Sequence, residues 1–397
     1  MHRHLAVAIQ QSQWLQRTVA KNQMPFKVST VPKALTDGSR LITESCVRAG
    51  ADVFIGYPIT PANLLYLYAS KRYPRMLAAP DEITTLQWMA GFSATGHIPV
   101  TATSFPGFAL MVESINMAFM MELPMVIILA QRLGPATGSA TCGSQGDLSV
   151  IAGTLSGGFP LPTLCISNFD DCWNISAEAV KLAVRMRSPV VLLTSKEMVM
   201  TRSSYDWSGL PEIEPIQRRF YEGAGPYEPY STGPDLIPEF LPVSQNSYQV
   251  RLTASTHDRN GIIQNVLPEA IDNTKRLESK LVKHLPGYTF FDFDEDKGAG
   301  TLIVSYGITS LASRDAVQEL RKSGKKVSLL VAKTLLPVPG DYLDICDRYE
   351  RVVVAEENLT GQLRHLLYGT RGRAGLTGIN GISKMITPAE IVAEVER

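Results

Sequence analysis

The chain has 397 residues, 45% hydrophobic and 19% charged, with 38 basic side chains matched by 38 acidic ones. That length allows two domains with separate cores, and zero net charge leaves no electrostatic footprint for nucleic acid or an anionic membrane. A neutral chain this apolar suits a cytoplasmic enzyme, or a subunit whose apolar faces are covered by partner chains.

Residues 1–33 carry Arg3, Arg17 and Lys21 among Leu5, Val7, Ile9, Trp14 and Leu15, with no acid before Asp37. Without the apolar core and cleavage site of a signal peptide, this N-terminal extension reads as a helix docked on a neighbour. From Ala34 an α/β pattern takes over. Asp37 or Ser39 caps a helix through Leu41, Ile42 and Val47 that stops at Gly50. Ala51–Tyr57 is a buried strand, and Pro61–Ser70 a helix with Pro61 in its first turn. Asp81–Thr95 places Ile83, Leu86, Met89 and Ala90 on one helical face. Val100–Ser104 is a strand, Gly107–Met121 a helix and Met125–Ala130 a strand. The Gly- and Thr-rich loop Gly134–Gly146 is long for a passive connection and points to ligand or subunit contact.

Leu161–Ser167 and Pro189–Ser195 are strands flanking a helix over Ile175–Met186. Residues 34–202 therefore read as an α/β domain with a doubly wound parallel sheet. Over residues 203–298, prolines from Pro211 to Pro242 break every element, and only Pro268–Lys283 keeps a helical pattern. This is a linker that wraps neighbouring domains. Residues 299–397 then give strand Thr301–Tyr306, helix Ser310–Ser323, strand Lys326–Ala332, helix Pro339–Tyr349 and strand Arg351–Ala355. That is a second, smaller three-layer α/β domain.

The apolar run Phe105–Ala130 is interrupted by Glu113, Asn116, Glu122 and Pro124, a pattern of buried helix and strand rather than a membrane span. Cys46, Cys142, Cys165, Cys172 and Cys346 include no C-x-x-C pair, so neither a disulfide framework nor a cluster site is expected here. Loops at the carboxyl ends of parallel strands line ligand crevices, and three chemically distinct side chains fall in such places: Thr60, Glu82 and Arg132. Singly, each has a plain role. Glu82 in a first helical turn is favoured by the helix dipole; Thr60 completes a turn between Pro58 and Pro61; Arg132 is a surface charge or a carboxylate partner. His97 and His257 stand alone, and no nucleophile elbow, P-loop or dinucleotide glycine motif occurs.

In sequence order the pieces are more specific. Tyr57-Pro58-Ile59-Thr60-Pro61, Asp81-Glu82-Ile83, Thr103-Ser104-Phe105-Pro106-Gly107-Phe108, Gln131-Arg132 with Gly134-Pro135 and Thr137-Gly138, and Gln145-Gly146-Asp147-Leu148 follow one another. Together they resemble the alpha subunit of the 2-oxoacid:ferredoxin oxidoreductases, thiamine-diphosphate enzymes that oxidatively decarboxylate a 2-oxoacid to an acyl-CoA. Val304-Ser305-Tyr306-Gly307 and Val353-Val354-Ala355-Glu356-Glu357-Asn358, with Gly361-Gln362, are similar to that family's transketolase C-terminal-like domain. The resemblance covers Ala34–Arg397.

The resemblance implies a pyrimidine-binding domain at 34–202, with Tyr57, Pro58, Ile59, Thr60, Glu82 and Phe105 against the cofactor. Glu82 matches the glutamate that hydrogen-bonds the aminopyrimidine ring. Thr60 and Arg132 match a hydroxyl and a guanidinium that meet the substrate carboxylate. The family's Gly-Asp-Gly diphosphate motif has no match, since Gly146-Asp147 and Gly340-Asp341 are followed by Leu148 and Tyr342. A beta subunit is thereby implied to bring the diphosphate site, Mg2+ and an iron–sulfur cluster. Gamma and ferredoxin-like delta subunits are further candidate partners, with ferredoxin as acceptor and coenzyme A as co-substrate. The loop Ala140-Thr141-Cys142-Gly143-Ser144 lacks the basic residue found in members that take 2-oxoglutarate, and Gly157-Gly158 stands where that branch has His-Gly; both give weight to a monocarboxylic 2-oxoacid. A non-redox transketolase-like subunit and a noncatalytic scaffold remain as alternatives.

Overall fold

Asp37 opens the first helix: its side chain accepts the Arg40 amide at 3.0 Å, which ends strand β1 (Lys33–Asp37) and starts α1 (Gly38–Arg48). The computed structural model describes residues 33–243 and 248–397; the extension at 1–33 therefore lies, apart from Lys33, outside the described residues. Elements then alternate through β2 (Val53–Gly56), α2 (Asn63–Arg72), β3 (Arg75–Ala78), α3 (Glu82–Ala94), β4 (Pro99–Thr103), α4 (Phe105–Met120) and β5 (Met125–Gln131). They continue with α5 (Leu148–Ala152), β6 (Thr163–Cys165), α6 (Phe169–Met186), β7 (Pro189–Ser195), α7 (Lys196–Met200) and β8 (Arg202–Asp206). The strand β8 returns antiparallel to β1. Every residue of β5 and β7 is buried, which explains why both read as unbroken apolar runs: a parallel sheet is covered on both faces.

The later elements are α8 (Pro268–His284), β9 (Phe291–Asp294), β10 (Thr301–Tyr306), α9 (Thr309–Lys322), β11 (Val327–Ala332) and β12 (Thr334–Leu336). After these come α10 (Gly340–Cys346), β13 (Arg351–Glu356), α11 (Gln362–Tyr368), β14 (Leu376–Asn380) and α12 (Pro388–Val395). The larger sheet has the order β12-β6-β7-β5-β4-β2-β3 and the smaller one β14-β13-β10-β11-β9. Pairing is parallel except at β12 and β9, which run antiparallel to their neighbours. The α/β class with parallel-dominated sheets is as the sequence led one to expect.

Several details differ from the sequence reading, among them the two-stranded sheet of β1 and β8 and the start of α6 at Phe169 rather than Ile175. Strand β12 leaves the smaller sheet's part of the chain and becomes the outer strand of the larger sheet, against β6. The edge strands β3, β9 and β14 escaped the pattern because they are short and only partly buried, so they show neither an apolar run nor strict alternation. Pro61 precedes α2 by two residues instead of opening it, and Ala62 occupies the N-cap position without a capping side chain.

Two buried polar centres join the parts. The first is Gln145, fully buried. Its Nε2 donates to the Tyr306 carbonyl at 2.8 Å, and its Oε1 accepts from Thr309 Oγ1 at 2.7 Å and the Glu357 amide at 2.8 Å. Its amide donates to the Glu357 carbonyl at 2.8 Å, and its carbonyl accepts from the Tyr306 hydroxyl at 3.1 Å. The second is Glu122, just past α4 and fully buried. Both oxygens receive the Arg276 guanidinium, and Lys280 Nζ donates at 2.5 Å. Arg276 and Lys280 lie on α8, so this carboxylate fastens the helix of the proline-rich region to the larger sheet's unit. Burial alone would raise the Glu122 pKa, but the charges of Lys280, Arg276 and Arg187 overcome that and hold it well below the usual range.

Removing one partner of a buried ion cluster leaves uncompensated charge and costs about 3–5 kcal/mol. Glu122→Gln is expected to lose about that much in chemical denaturation at pH 7, and to expose residues 203–298 to limited proteolysis. Because the folded pKa is depressed, the carboxylate's contribution is complete above the ordinary value of 4.5 and is lost only as pH falls through the lower folded value. The gap between wild type and variant should therefore persist at pH 5 and close only in stronger acid.

Candidate active site

The chain leaves β2 toward β3 on one side, whereas β4 leads to β5 on the other. A reversal of this kind is where open parallel sheets bind ligands, outside the carboxyl ends of the strands. The pairing of β2 with β4 is confined to their amino ends, Val53 with Pro99 and Phe54 with Val100. Beyond Phe54 no ladder pairs the two strands, which leaves their carboxyl ends free to part where such sheets bind ligands. The amino termini of α3 and α4, the loop after β2 and Arg132 at the end of β5 all face this edge of the sheet.

The capping role available to Glu82 belongs to its neighbour. Asp81 Oδ1 accepts the Thr84 amide at 2.6 Å and caps α3. Glu82 itself is only 6% exposed and takes no hydrogen bond from another side chain among the described residues. Burial raises its pKa, its own backbone amide opposes that, and the nearby Asp81 charge adds to it. The carboxylate lies directly over Gly107: a Cβ built there would stand 2.4 Å from Glu82 Oε1 and 2.2 Å from Thr103 Oγ1. Glycine is thus required for space, at the start of α4. Ser104, at the N-cap position of α4, makes no capping bond, and its buried hydroxyl has no partner among the described residues. Phe105, the first residue of α4, is half-buried.

Thr60 and Arg132 form a second cluster. Arg132 is buried, and its Nη1 donates to the Thr60 carbonyl at 2.6 Å, across the 72 residues that separate them in sequence. It is therefore no surface charge. The Nε–H has no partner among the described residues, and Nη2 takes part in no hydrogen bond there, so one edge of the guanidinium stays open. Burial lowers the Arg132 pKa, with Asp147 opposing. Asp147 is pushed up to about 7 by its own burial, Arg132 opposing, and its Oδ2 is likewise unpartnered. Tyr57 and Pro58 are exposed, while Ile59 and Thr60 are half-buried, along the loop after β2. One hydrogen bond joins Thr60 to Arg132, but none joins either to Glu82 among the described residues.

Several motif residues prove to build the frame. Glu356 accepts the Leu363 and Arg364 amides at 2.8 and 3.1 Å and so fixes the start of α11. Gln362 bonds the Gly146 carbonyl and the Ser149 amide, both at 2.9 Å. With Gln145, these residues lock the 145–149 segment to the smaller sheet. Sequence reasoning left Gly107, Ser104 and Asp147 without roles. Only the proximity of Gly107 and Asp147 to the motif residues Glu82 and Arg132 assigns them, and that proximity is tertiary.

Two family models match the chain. The one described as pyruvate flavodoxin/ferredoxin oxidoreductase, thiamine diphosphate-binding, spans residues 44–276, and pyruvate:ferredoxin oxidoreductase core domain II spans 299–371. The 2-oxoglutarate synthase subunit KorA of Methanocaldococcus jannaschii is 32% identical over 331 residues, covering 82% of this chain and 88% of that one. The ketoisovalerate oxidoreductase subunit VorB of Methanothermobacter thermautotrophicus is 28% identical over 343 residues, covering 83% and 87%. Among solved structures, the 2-oxoglutarate:ferredoxin oxidoreductase from Magnetococcus marinus with 2-oxoglutarate, coenzyme A and succinyl-CoA bound superposes with a TM-score of 0.85 at 26% identity. That match covers 92% of this chain, which spans 65% of the length of the other.

Gly107→Ala tests the close approach independently of any activity. Overpacking of a tight contact costs roughly 1–3 kcal/mol, and a lowered melting temperature of that order is expected. A wild-type melting temperature would mean that the Glu82 carboxylate moves aside freely and is not held over the glycine.

Proposed function

The chain belongs to the 2-oxoacid:ferredoxin oxidoreductases as an alpha subunit, and from that membership we propose its reaction. The reaction is the coenzyme A-dependent oxidative decarboxylation of a 2-oxoacid to an acyl-CoA and CO2, with the electron pair passed to ferredoxin through iron–sulfur clusters of partner chains. The observation that carries this reading is the buried, unpaired carboxylate of Glu82, held over Gly107 at the reversal point of the sheet. Such a carboxyl suits a cofactor ring that offers a nitrogen to it and little water. The orphaned Ser104 hydroxyl at the head of α4 is a further polar contact for the same ring.

Thiamine diphosphate, when bound, supplies a nucleophilic carbon and a sink for the electrons left by the departing carboxylate. The residues of this chain hold and protonate around that centre. Burial lifts the Glu82 pKa, so the carboxyl exchanges a proton with a bound ring more readily than an exposed one at neutral pH. Arg132, with Nη1 committed to Thr60, has its Nε/Nη2 edge left over, and that edge presents the parallel donors that match a carboxylate. Thr60 is tethered beside it, its hydroxyl serving the same carboxylate. Tyr57, Pro58, Ile59 and Phe105 supply apolar surface against the pyrimidine ring.

The other half of the site is assigned to a beta subunit. Mg2+, the diphosphate and the clusters are assigned to partner chains because Gly146-Asp147 and Gly340-Asp341 are each followed by a residue other than glycine and the five cysteines are scattered. Exposed apolar side chains at or near this edge, Tyr57 at 41% and Ile83 at 48%, with Leu110 of α4 at 51%, offer such a partner a surface to cover. Gamma and ferredoxin-like delta chains would complete the electron path. A ferredoxin-linked complex of this kind is assigned to the cytoplasm. Separately, no described helix is long and apolar enough to cross a membrane. For the substrate, the loop around Gly143 faces acids: Glu197 lies where a Gly143 Cβ would be, within 2.3 Å of its Oε1. Glu357 nearby is pushed up to about 7 by burial, with the Glu197 charge adding. A second substrate carboxylate there would meet like charge, which favours a monocarboxylic 2-oxoacid over 2-oxoglutarate.

In the purified complex, Glu82→Gln is expected to cut turnover by roughly 10²–10⁴-fold, the range for a lost proton-transfer group, while assembly and visible cluster absorbance stay unchanged. Turnover within a few-fold of wild type would remove Glu82 from the chemistry. Arg132→Lys keeps the charge and loses the paired donors. Losing a charge-assisted hydrogen bond of about 1.5–3 kcal/mol corresponds to a kcat/KM for the oxoacid lower by roughly ten- to a hundredfold, with thiamine diphosphate affinity unmoved. The same assay across pyruvate, branched 2-oxoacids and 2-oxoglutarate decides the substrate class; a clear preference for 2-oxoglutarate would overturn the monocarboxylic assignment.

A further inference from the structure

At the opposite, amino-terminal edge of the larger sheet, the proline-rich region packs on the ends of α6 and β7 around two neighbouring arginines. Arg187, only 4% exposed, spends Nε on the Glu122 carbonyl and Nη1 on carbonyls of Pro229, Pro238 and Glu239, at 2.9–3.3 Å. Its Nη2 has no partner among the described residues. Arg218 donates Nη2 to the His97 carbonyl, while its buried Nε and Nη1 have none. Both guanidiniums sit over the Phe240 ring, 5.4 and 5.0 Å from its centroid, and both residues line one cavity of about 160 Å³. Arg185 and Arg219 also line it, and its one acidic residue, Asp235, is bound by Arg219 at 2.8 Å.

The charges do not balance. Glu122 faces Arg276 and Lys280 in ion pairs and also the nearby Arg187, so three cations share one carboxylate. Arg218 adds a fourth cation; the nearest compensation is Asp52, itself engaged by His97 and the Ile98 amide. The surplus is felt on Lys280, pushed down to about 8 by burial, Glu122 opposing and Arg276 adding. Burial lowers Arg218 to about 10, Asp52 opposing and Arg187 adding. The carboxyl end of α6 contributes roughly half a negative charge, too little to offset two guanidiniums. Each buried charge left unpaired costs several kcal/mol.

We propose that this cavity is an anion site that takes a phosphate group, as the free ion or as a phosphate monoester, on the unpartnered N–H groups of Arg187 and Arg218. A tetrahedral dianion matches both the surplus charge and the three free donors. Planar guanidiniums held over one ring keep those donors in place, as phosphate recognition requires. A second cavity of about 410 Å³ shares Arg219 and Ile237 with the first and is walled by Tyr221 and Tyr227, which gives the organic part of a monoester a place to lie. The bound group would hold the proline-rich region to the sheet, away from the reaction centre.

The test uses the purified complex, presaturated with thiamine diphosphate and coenzyme A so that their own phosphate sites are filled. Isothermal titration with inorganic phosphate, against chloride at matched ionic strength, is expected to give saturable binding that weakens roughly ten- to a hundredfold in Arg218→Gln. Glycerol phosphate in place of phosphate distinguishes the source: equal affinity assigns a free ion, tighter binding a monoester. Absence of saturable binding to the wild type overturns the proposal, as does equal affinity in wild type and Arg218→Gln. Should that variant fail to fold, Arg218→Lys, which keeps the charge but loses the fixed donors, takes its place with the same expected weakening.

Discussion

Gln145 has no contact with solvent, and its main-chain and side-chain polar groups are all engaged by the smaller sheet's part of the chain. A buried amide of this kind has little latitude. Each unmade bond would strand a donor or acceptor at about 1–3 kcal/mol, and three of the partners are main-chain groups: the Tyr306 carbonyl at the end of β10 and the Glu357 amide and carbonyl just past β13. The next residues inherit that constraint. Asp147 follows two positions on, its amide near Gln131 Oε1 at 3.4 Å, and its charge is felt by Arg132. Arg132 in turn holds the Thr60 carbonyl. A continuous set of bonds thus runs from β13 through Gln145 and the ends of β5 to the loop after β2. The smaller sheet thereby fixes the loops that carry Arg132 and Thr60.

The proline-rich region is held by a different kind of interaction. Few of its residues form regular structure, so its backbone carbonyls need donors from elsewhere, and Arg187 supplies three of them with one nitrogen. Arg187 stands in the left-handed region, φ 46°, at the end of α6, a conformation that few residues other than glycine adopt readily. The guanidinium's reach justifies the residue there. Charge and hydrogen bonding therefore set the path of this segment together with the buried side chains of Tyr227, Tyr230, Phe240 and Leu241. Buried ionic groups add little net stability when compared with apolar packing; their use here is to select one course for an otherwise unpatterned chain.

Much of this was legible before any coordinates. The central strands β5, β7, β10 and β11 are apolar at nearly every position, and no other element tolerates such runs. The first helix carries its cap at an expected place, Asp37. Peripheral elements were not legible: β3, β9 and β14 are half exposed, and β12 is three residues long, its pairing decided by a neighbour 170 residues earlier in the chain. For the site, the motifs located Thr60, Glu82 and Arg132, whereas what each touches depended on packing. That Asp81 rather than Glu82 caps α3 turns on one residue of register. That Gly107 exists to leave room for a carboxylate is invisible in one dimension, since its φ needs no glycine and only the neighbouring side chain does.

The swapped position of β12 sets an order of events during synthesis. Strand β6 emerges from the ribosome early and can pair with β7 at once, but its outer edge stays bare until Thr334–Leu336 follow. At ~5–20 residues per second that wait is on the order of ten seconds. An unpaired apolar edge is a template for any passing strand, and β6 is buried at all three positions in the finished molecule. Its brevity is a safeguard, since three residues offer a stray partner little to grip. Severing the chain between the two sheets would make that temporary exposure permanent, so the first sheet, although complete in its own connections, depends on the far end of the polypeptide to stay out of aggregates.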